Sequence, residues 1–144
     1  MHKSDAWKQA GSISLWRYTE RDRNYPGWHF SADRLGSDSF AALLDALVAD
    51  GAGQFRTIAL SDPRLSVLPD KYKTGGWVSP QKLRVSLSAT PSTWPFSETG
   101  EASELSIGPD WVSPLRQGVL GIHLGGTDYS IGPRGRGSVP LWFW

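Results

Sequence analysis

At 144 residues, with 39% hydrophobic and 20% charged side chains, the chain has the size and composition of one globular domain and excludes a disordered polymer. Fifteen basic against fourteen acidic residues leave a formal charge of +1, which excludes a whole-molecule field able to gather nucleic acid or an anionic membrane. The absence of cysteine excludes disulfides, thiolate metal sites and a cysteine nucleophile, and suits a reducing compartment.

Sixteen glycines, ten prolines and eight tryptophans point to β structure joined by turns. Residues 1–11 are polar and patternless and are expected to form a flexible tail, leaving 12–144 as a single domain. They lack the apolar centre of a secretion signal, and no run approaches the roughly 18 apolar residues of a spanning helix. The expected location is therefore cytoplasmic, with no membrane partner.

From 12 to 18 the chain alternates, Ile13, Leu15 and Arg17 pointing one way and Ser14, Trp16 and Tyr18 the other. A charged loop over 19–27 ends in Pro26-Gly27, a strong turn dipeptide. Residues 28–33 alternate again, Trp28, Phe30 and Ala32 against His29, Ser31 and Asp33. The two runs predict a hairpin in which Trp16 and Trp28 pair across the strands. A helix is predicted over 38–50, capped by the Ser37 hydroxyl, with Phe40, Leu43, Leu44, Leu47 and Val48 on one face and Gly51 as the stop.

Strands are predicted over 54–60 and 82–89, the second with Leu83, Val85, Leu87 and Ala89 buried opposite Lys82, Arg84, Ser86 and Ser88. The stretch between them, punctuated by Pro63, Pro69, Gly75, Gly76 and Pro80, reads as a long loop. A second loop over 90–103, a short strand at 104–107 and one helical turn within 109–117 follow. The last expected elements are a hairpin of 119–124 with 128–131 and an apolar edge strand at 139–144. The expected fold is α+β: one mainly antiparallel, twisted sheet of about six or seven strands with the 38–50 helix on one face.

The densest polar group is Glu20-Arg21-Asp22-Arg23, flanked by Arg17, Tyr18 and Tyr25 and followed by Trp28 and His29. Guanidiniums set between aromatic rings can grip a carboxylate, a phosphate or an acidic partner, because each offers a planar fork of donors. The plainer alternative is a hairpin loop whose charges satisfy one another and the solvent. This group is the primary candidate binding set.

His29 shares a strand face with Ser31 and Asp33, but at about 3.3 Å per residue His29 and Asp33 lie roughly 13 Å apart, so that strand alone cannot supply a triad. His2, His29 and His123 show no metal-binding spacing, and His123 with Asp128 across a turn supplies only two ligands. No metal and no cofactor are expected. The run GVLGIHLGG at 118–126 lacks the GK[ST] ending of a phosphate loop and reads as a glycine-rich strand and turn.

The run PRGRG at 133–137 resembles the AT-hook motif, which implies minor-groove DNA contact through Arg134 and Arg136. Gly137 stands where that motif has proline, and there is one copy. Nucleic acid is therefore not the expected partner, and the two arginines are secondary candidates beside Trp77, Trp94 and His123. Five or more of the eight tryptophans are expected to be buried.

The leading functional expectation is a non-enzymatic, cytoplasmic binding protein of bacterial type that engages another protein, for example to neutralise it. The rivals are an enzyme that pairs His29 or His123 with a carboxylate brought in by the fold and uses Arg17, Arg21 or Arg23 as an anion clamp, and a carbohydrate- or nucleic-acid-binding protein with exposed tryptophans.

Overall fold

The two alternating runs at the start of the chain form β1 (Ile13–Tyr18) and β2 (Trp28–Ala32), an antiparallel hairpin in which Trp16 lies opposite His29 and Arg17 opposite Trp28. That register corrects the expected Trp16–Trp28 pair. Pleating sends Trp28 with Phe30 into the main core and Trp16 to the opposite face. The computed structural model describes residues 2–98, 100–134 and 138–144. After the hairpin come α1 (Arg34–Asp50), β3 (Phe55–Ala59), β4 (Trp77–Val78), β5 (Lys82–Leu87) and β6 (Glu104–Ile107). The order closes with α2 (Pro109–Gly121), β7 (Tyr129–Ile131) and β8 (Leu141–Phe143).

Helix α1 begins four residues before the expected start, because Asp33 and not Ser37 caps it. One Asp33 carboxylate oxygen accepts the Gly36 N–H at 2.7 Å and the Ser12 N–H at 3.0 Å, so it closes the helix and ties it to the start of β1. Phe40, Leu43, Leu44 and Leu47 are buried as their spacing predicts, while Val48 is 52% exposed. Gly51, at φ 82°, ends the helix and donates its N–H to Leu47. The segment before β1 makes one 3₁₀ turn, Lys3–Ala6, held to α1 where the Ser4 N–H meets Asp50 at 2.8 Å and Trp7 Nε1 meets the Ser39 carbonyl at 2.7 Å.

The fold is α+β, with the strands divided between two sheets where one was expected. The larger runs β4-β1-β2-β8-β7 and the smaller β3-β5-β6. Most pairs are antiparallel, but β2–β8 and β5–β6 are parallel, so both sheets are mixed. The expected hairpin of 119–124 with 128–131 does not form. Val112, Leu115, Val119 and Ile122 share a helical face on α2 and the 3₁₀ turn after it, and this face is buried in the core. Gly118 sits against the Phe143 ring where any Cβ would overlap it, so the glycine that suggests a strand in fact permits helix-to-sheet contact.

Strand β8 is interior, not an edge, because β2 and β7 pair with its two flanks, and both its faces are apolar. Leu141 and Phe143 join the main core, and Trp142 and Trp144 line the other side. The main core lies between α1, α2 and the two sheets. A second cluster, Trp16, Tyr18, Leu68 and Tyr72 with Trp77 and Trp144 packed on it, roofs the other face of the larger sheet with the 61–76 loop. Only Trp16 and Trp28 are fully buried. The other six tryptophans are half-buried and none is exposed, fewer buried rings than expected.

Candidate functional site

Asp22 organises the loop between β1 and β2. Its side chain is turned inward and the residue is only 6% exposed. One carboxylate oxygen accepts the backbone N–H groups of Asn24 at 3.0 Å and Tyr25 at 2.9 Å, an Asx turn. The other accepts the Tyr72 hydroxyl at 2.8 Å and the Lys71 ammonium at 2.9 Å. Burial pushes this carboxyl up, but Lys71, the Tyr72 hydroxyl and the two N–H groups together outweigh it and hold it well below the usual carboxylate range. Hydrogen bonds to a charged group are worth about 1.5–3 kcal/mol each, so Asp22 fixes the loop firmly to the 61–76 roof.

Beneath the loop lies an aromatic stack. Tyr18 and Tyr72 stack at 3.7 Å between ring centroids. His29 sits between Trp16, at 5.5 Å, and Tyr18, at 4.6 Å. Tyr25 packs edge-on against both Trp142 and Trp144. Trp144 Nε1 donates to His29 Nδ1 at 3.0 Å, and since an indole N–H can only donate, Nδ1 carries no proton and the ring is the Nε2–H tautomer. His29 is wholly buried and Nε2 has no hydrogen-bond partner among the described residues. Burial pulls the imidazole down to about 4, with the Tyr25 carbonyl drawing it weakly the other way, so the ring is neutral at pH 7. A sealed, neutral imidazole cannot exchange a proton with a substrate.

The candidate residues therefore separate into two groups. Tyr18, Asp22, Trp28 and His29 are buried and support the loop. Glu20, Arg21 and Arg23 are exposed, and Tyr25 is half-buried. Arg17 is also half-buried, its guanidinium 5.8 Å from the Trp28 ring, with a buried Nε that has no partner among the described residues. A small cleft of about 150 Å³ lies between Arg17, Thr19, Glu20, Arg21, Tyr25 and Glu98. Arg21 reaches Glu98 at 3.7 Å across its rim, a solvent-exposed pair worth little. Lys71, Tyr72, Glu98 and Trp144 complete this region and were not legible as partners of the loop, since nothing local links them to it. The Asx turn did have a local signal in Asp22-Arg23-Asn24.

The secondary candidates lie elsewhere. Trp77 in β4 pairs with Tyr18 and packs on the second cluster. Trp94 is half-buried, tilted against Trp111 with ring centroids 4.8 Å apart, and its Nε1 donates to the Val139 carbonyl. Arg134 is exposed, and Arg136 lies outside the described residues.

His123 is exposed and its Nε2 bonds the Ala32 carbonyl at 2.9 Å, near the Asp33–Arg64 pair. This cleft also holds Ser12, Ser14, Ser31 and Ser66; the Ser14 and Ser31 hydroxyls bond the carbonyls of Asp62 and Trp144, and no serine hydroxyl among the described residues bonds His123. Asp33 is committed to its cap. Among the described residues this cleft contains no nucleophile–base hydrogen bond of the kind acyl transfer requires. Among the described residues no three histidine or carboxylate side chains gather to hold a metal, and no helix is long and apolar enough to cross a membrane. Comparisons with protein-family models, with curated proteins and with solved structures gave no match.

Proposed function

We propose that the chain is a non-enzymatic binding protein that engages a partner protein through the 19–27 loop, in the manner of a neutralising, immunity-like protein of a bacterial cytoplasm. One observation carries the reading: the inward bonds of Asp22 tie the loop to the 61–76 segment, with Glu20, Arg21 and Arg23 turned to solvent. A loop fixed before contact loses little conformational freedom on binding, and arginine on a rigid support is a favoured interface residue. The sealed His29, and a His123 whose Nε2 is bonded to the Ala32 carbonyl and not to a hydroxyl, weigh against an enzyme. The half-buried packing of Trp77 and Trp94 weighs against a sugar-stacking platform.

The test is capture from native lysate with the wild-type chain and with the double variant Arg21→Glu, Arg23→Glu. Both side chains are exposed, so the variant keeps its melting temperature. The expected result is a stoichiometric protein partner lost in the variant. Recovery of none with the wild type, or equal recovery with both, overturns the proposal.

A further inference from the structure

The outer edge of β3 is an open half-rung ladder, and the two sheets make its parity explicit. The Leu60 N–H donates to the Gln81 carbonyl at 2.8 Å, so the even-numbered residues of this strand pair inward with β5 and the odd-numbered ones turn their backbone groups outward. Of the outward row, Ser61 N–H is taken by the Ile13 carbonyl at 2.8 Å. Ala59 is taken by the Gln9 carboxamide, which accepts from its N–H and donates to its carbonyl, both at 2.8 Å. That side-chain amide makes the same pair of bonds as the N–H and C=O of one residue in a neighbouring antiparallel strand. Beyond it, the N–H and C=O groups of Thr57 and Phe55 have no partner among the described residues, and both residues are exposed. The Phe55 ring, 46% exposed, is covered by the Arg84 guanidinium at 3.6 Å; Lys82 lies on the same solvent face, and Glu104 stands opposite Arg84 on the side away from β3, leaving the cations nearer the open edge.

We propose that this edge receives an extended segment of a partner protein, which adds a strand to the smaller sheet beside Thr57 and Phe55 and carries acidic side chains on the face shared with Arg84 and Lys82. Backbone pairing supplies the affinity of such a joint, and the side chains of one face supply its selectivity. A second copy of this chain is disfavoured. Antiparallel pairing of Phe55 with Thr57 of another copy, the register that uses both free rungs, sets Arg56 directly against its own counterpart, and like charges so placed repel. The surface shares no residue with the 19–27 loop, so the inference does not depend on the function proposed for that loop.

The test uses the capped peptide Val-Glu-Thr-Glu-Val and its lysine counterpart Val-Lys-Thr-Lys-Val, titrated into the full chain and followed by backbone amide NMR. The acidic peptide is expected to shift the Phe55 and Thr57 amides and slow their hydrogen exchange, and the lysine peptide to bind about fivefold more weakly or worse. Thr57→Pro removes an outward N–H that bonds to nothing, so it keeps the fold and abolishes binding. Arg84→Glu, on the solvent face, inverts the preference between the peptides and stands in should the proline variant fail to fold. Unmoved Phe55 and Thr57 amides at millimolar peptide, equal binding of both peptides, or full binding by a folded Thr57→Pro chain overturns the proposal.

Discussion

His29 gives the sharpest test of the aromatic layer. Its ordinary value in an unfolded chain is about 6.5, and burial among Trp16, Tyr18 and Trp144 brings it down to about 4 in the fold. Between those values the unfolded chain holds a proton that the folded chain refuses, so stability must rise with pH across the window and is fully present only above about 6.5. Each pH unit inside the window is worth about 1.4 kcal/mol, so acidifying from pH 7 to 4.5 removes about 2–3 kcal/mol through this ring alone. The assay is a series of urea melts by tryptophan fluorescence on the wild type and His29→Phe. The variant strands the Trp144 N–H and starts about 1–3 kcal/mol lower at pH 7. Carboxylates titrate alike in both chains, so the gap between them isolates the imidazole. It is expected to close, or change sign, by pH 4.5. A gap constant to within about 0.5 kcal/mol, the uncertainty within which independent effects add, would refute the burial argument, as would an NMR titration placing His29 near its unfolded value.

Leu44 is wholly buried on α1, and Leu44→Ala should cost about 2–5 kcal/mol by urea melt; a loss under about 1 kcal/mol would mean the helix does not brace the core as described. Asp22→Asn keeps an acceptor for the Asn24 and Tyr25 N–H groups but withdraws the charge that faces Lys71, for an expected loss of about 1–3 kcal/mol at pH 7. Because the folded carboxyl titrates below its unfolded value, its contribution is whole above about pH 4 and fades as the solution is made more acidic. The variant should therefore lose less stability than the wild type on acidification below about pH 4, and identical acid limbs would contradict the role given to Asp22.

Where hydrophobic period and burial coincided, the sequence could be read directly. The β1–β2 alternation, the Phe40-Leu43-Leu44-Leu47 face and the Leu83-Val85-Leu87 side all match the structure. The misreadings have local causes. Asp33 and Ser37 are both competent caps, and only the distant Ser12 N–H decides for Asp33. Residues 118–126 combine glycine with a short apolar run, which suits a helix or a strand equally until Phe143 arrives to fill the space above Gly118. Within the candidate site, the outward residues Glu20, Arg21 and Arg23 were legible from their charge. The inward role of Asp22 was not, since Tyr72 lies 50 residues away from it. His29 was singled out for its chemistry, and its environment, set by Trp144 from the far end of the chain, removes that chemistry.

The position of β8 governs how the molecule is assembled. It docks in parallel beside β2, with Trp28 opposite Leu141, so the middle of the larger sheet is stitched by a contact that spans nearly the whole polypeptide. Closing so long a loop costs entropy before any reward arrives, and chains dominated by such distant pairings fold slowly. A chain in which β8 has not docked has a bare flank on β2, no indole donor for His29 and an empty slot at Gly118. The pairing that completes the architecture is thus the one expected to set the rate of folding.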